Sequence, residues 1–238
     1  MKFKRKPPQG NVRRVVSNGQ NIRGVITNKA GRIVQFESWA ERALLVRLER
    51  DPDVAGYGSQ PEQFRYVDPQ GHPHTYTPDF IVWRRDGRVE IHEVTVSGRR
   101  AQPAVRWREA AADEICRARG WSYVVHTERS LPQGSELANL LALLHFRPAA
   151  YADRDVAEAA FERLRSGRAV PLHALIGQIA RDLGVPEPGV AAALAHMLWH
   201  GEIATDLSQL IFVDGAVSPA ARVWLAAPRK EEGHAAHS

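Results

Sequence analysis

The sequence predicts an α/β chain in two parts: a mixed-sheet core packed with helices, then a mainly helical, winged-helix-like domain. Three observations carry this reading. Between 63 and 94, short runs alternate polar and apolar residues and are parted by turn signals. A long helical stretch separates them from a further strand-like run at Trp121 to Val125, as a mixed sheet requires. After Leu131-Pro132-Gln133-Gly134 the pattern turns helical and closes on two short strand-like runs.

Taken in order, residues 1–30 are rich in Gly, Asn, Pro and basic groups and read as an arm with one short strand. Domain boundaries are expected at 31–132 for the first domain, 136–229 for the second and 230–238 for a polar tail. Ser38 caps a helix with Trp39, Ala43, Leu44, Val46 and Leu48 on its apolar face, ended by Asp51-Pro52. Gln63 to Val67 is a strand, and 68–71 a turn. The run from Asp79 to Trp83 returns through Arg85-Asp86-Gly87 to Val89–Val94, a hairpin signal. A helix over 104–119 ends at Gly120. Later helices are expected at 136–144, 154–165, 172–183 and 188–200. Strands at 201–205 and 209–213 would then pair around Asp206-Leu207-Ser208.

Composition excludes several classes. No run of eighteen apolar residues exists, so no transmembrane span is expected, and the polar N-terminus is unlike a secretory signal. One cysteine, Cys116, cannot build a disulfide framework or a multi-cysteine zinc site and fits a reducing, cytoplasmic setting. The net charge is +5, and no acidic residue precedes Glu37. Lys4, Arg5, Lys6, Arg13 and Arg14 in that arm have two readings: phosphate contacts on double-stranded DNA, or a solvated tail.

The candidate chemistry is acidic. Asp79 opens one strand of the hairpin and Glu93 lies near the end of the other, so residues fourteen apart in sequence become neighbours. Glu41, on the preceding helix, supplies a third carboxylate; Ser38-x-x-Glu41 also fits a capping box, and both readings stand. Such oxygens suit Mg²⁺, which commonly keeps several waters.

The ordered segments Ser38-Trp39-Ala40-Glu41, Leu48-Glu49-Arg50-Asp51-Pro52-Asp53-Val54, Ser59-Gln60-Pro61, Tyr76-Thr77-Pro78-Asp79-Phe80 and Glu93-Val94 resemble TnsA-type endonuclease subunits of heteromeric transposases. Gly120 to Thr127 is similar to that domain's last strand, and the resemblance spans roughly 28–132. It implies a restriction-endonuclease-like core with Glu41, Asp79 and Glu93 as catalytic and metal-binding residues. It also implies Mg²⁺-dependent cutting of one strand at each element end, with Mn²⁺ able to substitute. A DDE-type transposase subunit would cut and join the other strand, and an AAA-type regulatory ATPase is a further implied partner. The C-terminal half resembles that family's partner- and DNA-contacting portion in layout.

The sequence departs from that family where acid-x-Lys is usual, reading Glu93-Val94-Thr95. Thr95 cannot act as a cation; Arg99 and Arg100 follow and could face phosphate, although arginine is a poor proton acceptor. Gln60 reads either as an organiser of the acids or as a turn-flanking amide. His72, His74 and His92 invite a zinc reading, but strand alternation sets His92 on the face opposite Glu93. Arg106, Arg108, Glu109, Asp113 and Glu114 are expected on an exposed helix face, and Trp39, Trp107 and Trp121 in or beside the core. A structural subunit with weakened catalysis and a standalone restriction or repair nuclease are the competing functions.

Overall fold

The computed structural model describes residues 22–227. The arm residues Lys4, Arg5, Lys6, Arg13 and Arg14, and the tail at 230–238, lie outside the described residues. The chain divides between Gln133 and Gly134 into two units.

The first unit opens with an antiparallel pair, β1 (Gly24–Thr27), the one short strand expected within residues 1–30, and β2 (Ile33–Phe36), which lies beyond that arm and was not expected. Asn28 makes the second strand possible. Its Oδ1 accepts from the N–H groups of Ala30 and Arg32 at 2.9 and 3.0 Å, folding the turn on itself. Helix α1 (Trp39–Arg50) follows, with Ser38 as its cap. Its buried face includes Ala43, Leu44, Leu45, Val46 and Leu48.

The main sheet contains β3 (Val54–Ser59), β6 (Phe80–Arg84), β7 (Val89–Val94) and β8 (Ser122–His126), in the order β3-β6-β7-β8. A separate hairpin, β4 (Phe64–Val67) with β5 (Pro73–Tyr76), lies between β3 and β6 in sequence. Asp86-Gly87 turns β6 into β7, with Gly87 at φ 92°, and the register pairs Phe80 with His92. The β7–β8 pair is parallel, so a crossover is required, and α2 (Pro103–Ala118) supplies it. Ala112 and Cys116 on α2 pack with Ile81 and Ile91 of the sheet and with Phe64 and Tyr76. Fully burying such an aliphatic or aromatic side chain stabilises by ~1.5–3 kcal/mol.

Alternation along β7 gives its two faces different jobs. Ile91 and Glu93 point to the side holding Tyr76 and α2, whereas Glu90 and His92 point to the side holding Arg47 of α1.

The second unit runs α3 (Gly134–Leu143), α4 (Arg154–Leu164), β9 (Val170–Pro171), α5 (Leu172–Leu183), α6 (Glu187–His200), β10 (Ile203–Thr205), β11 (Phe212–Val213), β12 (Ala216–Val217) and β13 (Arg222–Leu225). Helices α5 and α6 end on left-handed Gly184 and Gly201. The expected pairing around 206–208 does not form. Strand β10 pairs with β13, and β11 with β12 across Asp214-Gly215. Asn139 of α3 explains this, because its amide donates to the carbonyls of Leu207 and Gln209 at 3.0 and 2.7 Å and accepts from the Ile211 N–H at 2.9 Å. Those backbone groups are spent on one side chain and cannot enter a ladder with β10. The nearly uncharged α6 buries Val190, Leu194, Leu198 and Trp199, in keeping with a packing helix. Among the described residues, no helix is long and apolar enough to cross a membrane.

Candidate active site

The β6–β7 register carries Asp79 to the level of Glu93. Asp79 follows Pro78, and its Oδ2 accepts from the Val94 N–H at 2.7 Å, tying the entrance of β6 to the end of β7. The Asp79 and Glu93 carboxyl groups lie close enough for each to feel the other's charge. Burial, then the charge of Glu93, holds Asp79 well above the ordinary carboxylate value. Burial also raises Glu93, against the opposing pull of the Tyr76 hydroxyl and Arg108. Two desolvated acids so coupled favour one proton held between them.

Glu93 has further partners. The Tyr76 hydroxyl donates to its Oε2 and lies 3.1 Å from the Tyr123 hydroxyl. Arg108 Nη2 donates to its Oε1 at 3.0 Å, and the guanidinium sits 4.9 Å from the Tyr76 ring centre. Arg108 was expected on an exposed helix face; it turns inward because position 108 shares one side of α2 with the buried Ala112 and Cys116. That i, i+4, i+8 spacing is the signal that could have revealed it. Tyr76 could have been found from its place three residues before Asp79; Tyr123 carries no local signal. Arg100 pairs with Glu109 at 2.8 Å, and Arg99 is exposed in the turn after β7.

Glu41 keeps both of its readings. Ser38 Oγ accepts from the Glu41 N–H at 3.1 Å and donates to Glu41 Oε1 at 3.0 Å, while Oε2 accepts from the Glu37 N–H at 2.8 Å. This is a capping box with a further backbone bond. Burial, then the charge of Asp79, nonetheless pushes Glu41 up to about 7, so its carboxyl also feels the acid pair.

Gln60 joins the site through its backbone. Its N–H donates to the Asp79 carbonyl at 2.8 Å, with φ at 45°, a left-handed conformation that costs a non-glycine residue energy. Its Nε2 donates to Glu37 at 3.3 Å, and its Oε1 is buried without a partner. The Thr95 N–H donates to the His126 carbonyl at 2.9 Å, which continues the β7–β8 ladder beyond Val94.

The histidines do not form a joint site. His72 and His74 both bond Asp68 in the β4–β5 turn, whereas His92 bonds Glu90 and His126 on the buried side of the sheet away from Glu93. Trp39 is 55% exposed instead of packed in the core, with the Arg42 guanidinium 5.2 Å from its ring centre.

Residues 51–128 match the family described as TnsA-like endonuclease N terminal. This TnsA-like segment contains Gln60, Tyr76, Asp79, Glu93, Thr95, Arg108 and Tyr123, and leaves Glu41 outside. It covers about a third of the chain and supports a nuclease-family assignment for the first unit. A comparison with curated proteins finds no match.

Among the described residues, no group of three His, Cys, Asp or Glu side chains is already gathered around a cation position. The donors nevertheless fit Mg²⁺. This ion is commonly held by one or two carboxylates, with waters and substrate phosphate completing its shell. Asp79 and Glu93 are such a pair, and Gln60, whose N–H is bonded to the Asp79 carbonyl, carries a buried, unpartnered neutral oxygen, Oε1.

Proposed function

We propose that this protein is the metal-dependent endonuclease subunit of a heteromeric transposase and cuts one DNA strand at each element end. The observation that carries the reading is the convergence of Asp79 and Glu93 at adjoining strand ends within the TnsA-like segment. In a restriction-endonuclease-like core these carboxylates would hold Mg²⁺, or Mn²⁺ in its place, with Gln60 Oε1 and Glu41 beside them. When bound, the ion supplies Lewis acidity that activates water and offsets charge on the phosphoryl group.

The chain's own residues do the remainder. Asp79 must release the proton it shares with Glu93 before the pair can bind a cation. Val94 N–H and Tyr76 OH hold the two carboxylates in place as that happens. Thr95 supplies no cation, and among the described residues Arg108 is a cation that touches the acid pair. Its guanidinium can bind phosphate but stays protonated, so it does not serve as the proton acceptor. In the second unit, the β11–β12 hairpin falls between β10 and β13 in chain order, after helices α5 and α6, an order in keeping with a winged helix. That layout supports a role in contacting DNA, a DDE-type transposase or an AAA-type ATPase.

A second reading, a structural subunit with weakened catalysis, is favoured by Thr95 and by the capping bonds that engage Glu41. Incubation with Mg²⁺ or Mn²⁺ on two substrates, element-end DNA with the transposase partner and generic DNA alone, separates the readings. The endonuclease-subunit reading expects partner-dependent cutting of end DNA. Cutting of generic DNA alone would instead mark a standalone nuclease, and no cutting in the full assembly would mark a structural subunit.

A further inference from the structure

Two residues bonded to the acid pair each carry a buried side-chain atom that lacks a hydrogen-bond partner, and the two atoms are of opposite kinds. Gln60 Oε1 is an acceptor, on a residue whose backbone is bonded to Asp79. Arg108 Nε–H is a donor, on a side chain whose Nη2 is bonded to Glu93. Buried polar groups are almost always paired, so each orphan calls for a partner, and a water or a ligand atom can supply it. An oxyanion satisfies the Arg108 donor, while a cation or its water satisfies the Gln60 acceptor. A phosphodiester with its divalent ion brings both.

Arg108 cannot keep its present partner once that ion arrives. Its guanidinium draws on Glu93 Oε1 at 3.0 Å, and Tyr76 already occupies Oε2. A divalent cation coordinated by Glu93 would compete for the same lone pairs and repel the guanidinium at short range. Arg108 is 28% exposed along its side chain, so it has room to swing. The Tyr76 ring beneath it provides a surface along which the planar group can slide. The nearest new anion is the substrate phosphate beside the ion, which a guanidinium can grip with two parallel hydrogen bonds.

Resting on the metal-site reading above, we propose that Arg108 is an internal counter-ion. It occupies Glu93 when no divalent cation is present and passes to the DNA phosphate when one binds. Metal and DNA then bind cooperatively, because each relieves a cost that the other would otherwise meet, and the coupling is reciprocal. The acid pair is thereby kept neutralised until substrate is at hand.

The test measures Mn²⁺ affinity of the full chain by electron paramagnetic resonance, with and without a short DNA duplex. Wild type, Arg108→Met, Arg108→Lys and Asp79→Asn are compared, and thermal melting confirms that each is folded. Wild type is expected to bind Mn²⁺ weakly alone and ~10-fold more tightly with duplex, within the usual range of coupling between sites. Arg108→Met should bind more tightly than wild type without DNA and lose the gain with DNA. Arg108→Lys should restore both wild-type features, and Arg108→Gln repeats the comparison should the methionine variant not fold. Mn²⁺ binding by Arg108→Met no tighter than wild type, or an undiminished gain with DNA, overturns the exchange while leaving the metal site intact. Mn²⁺ binding indifferent to Asp79→Asn, or absent from both wild type and Arg108→Met, overturns the metal site and the exchange with it.

Discussion

His126 Nε2 lies 2.9 Å from His92 Nδ1, and that contact gives direction to a chain of hydrogen bonds beneath the candidate site. Arg47 can only donate, so its bond to His126 Nδ1 at 3.0 Å makes that nitrogen an acceptor. His126 Nε2–H then donates to His92 Nδ1, and His92 Nε2–H donates to Glu90 at 2.9 Å. Arg84 bonds Glu90 at 2.9 Å and Asp51 at 2.6 Å, which returns the chain to the end of α1. Both histidines are neutral in this arrangement. The circuit fastens α1, which bears Glu41, to the strand that bears Glu93.

Removing one link should strand its neighbours. In His126→Phe the Arg47 Nη2 and the His92 Nδ1 lose these bonds, and unsatisfied buried polar groups cost about 1–3 kcal/mol each. Urea unfolding is expected to show a loss of that order. The His92→Phe/His126→Phe double variant should lose less than the sum of the single variants, because the two share one bond. Strict additivity would show that the circuit is not a unit.

Acid should act through the same pair. Burial, then the positive groups around it, lowers His126 from the ordinary 6.5 to about 3, and burial lowers His92 as well. The unfolded chain therefore takes up protons first as pH falls. The stability these histidines contribute is full above about 6.5 and is lost progressively as pH falls toward 3. Melting temperature followed downward from pH 7 should begin to drop near pH 6.5, and the drop should be shallower in the double phenylalanine variant.

The acid pair has the opposite sign. Asp79, Glu93 and Glu41 have raised values in the fold, Glu41 to about 7, so the stability tied to their protons is full below the ordinary carboxylate range and is lost as pH rises. Without divalent ions, Asp79→Asn should be more stable than wild type at pH 8, because the variant no longer carries a charge into a buried site. The gap should close near pH 4. Mg²⁺ should narrow it at pH 8 by stabilising only the wild type.

Ser38 tests the two readings of Glu41. Ser38→Ala removes the cap of α1 and should cost ~1 kcal/mol. It also frees Glu41 Oε1 while leaving the Glu37 bond to Oε2. Under the ligand reading, Mn²⁺ affinity in Ser38→Ala equals or exceeds that of wild type, and Glu41→Gln lowers it. Unchanged Mn²⁺ affinity in both variants would leave Glu41 as a cap alone.

Local signals made much of this legible in the sequence. Asp86-Gly87 between alternating runs sets the β6–β7 hairpin, and that hairpin alone brings Asp79 to Glu93. The span of α5 reads directly from its apolar periodicity. Features that depend on distant partners escaped. The β10–β13 pairing is non-local, and the side chain that blocks the local alternative, Asn139, lies about seventy residues from the backbone it occupies. Arg108 read as a surface charge because charged residues surround it on α2, while its counter-charge sits on another element. Trp39 read as a core or boundary aromatic by residue type, and its ring is turned out beside Arg42.

The central claim is that Asp79 and Glu93 cut DNA, and strand-resolved cleavage in the complete assembly tests it most directly. Wild type and Asp79→Asn would each be combined with the partner transposase, element-end duplex and Mn²⁺, with each DNA strand labelled separately. The account expects one strand at each end to be cut by wild type only when divalent ion is present, with the Asp79→Asn assembly forming normally but leaving that strand whole. Equal cutting of that strand by both proteins, or none by wild type in an assembly that still joins the other strand, would contradict it.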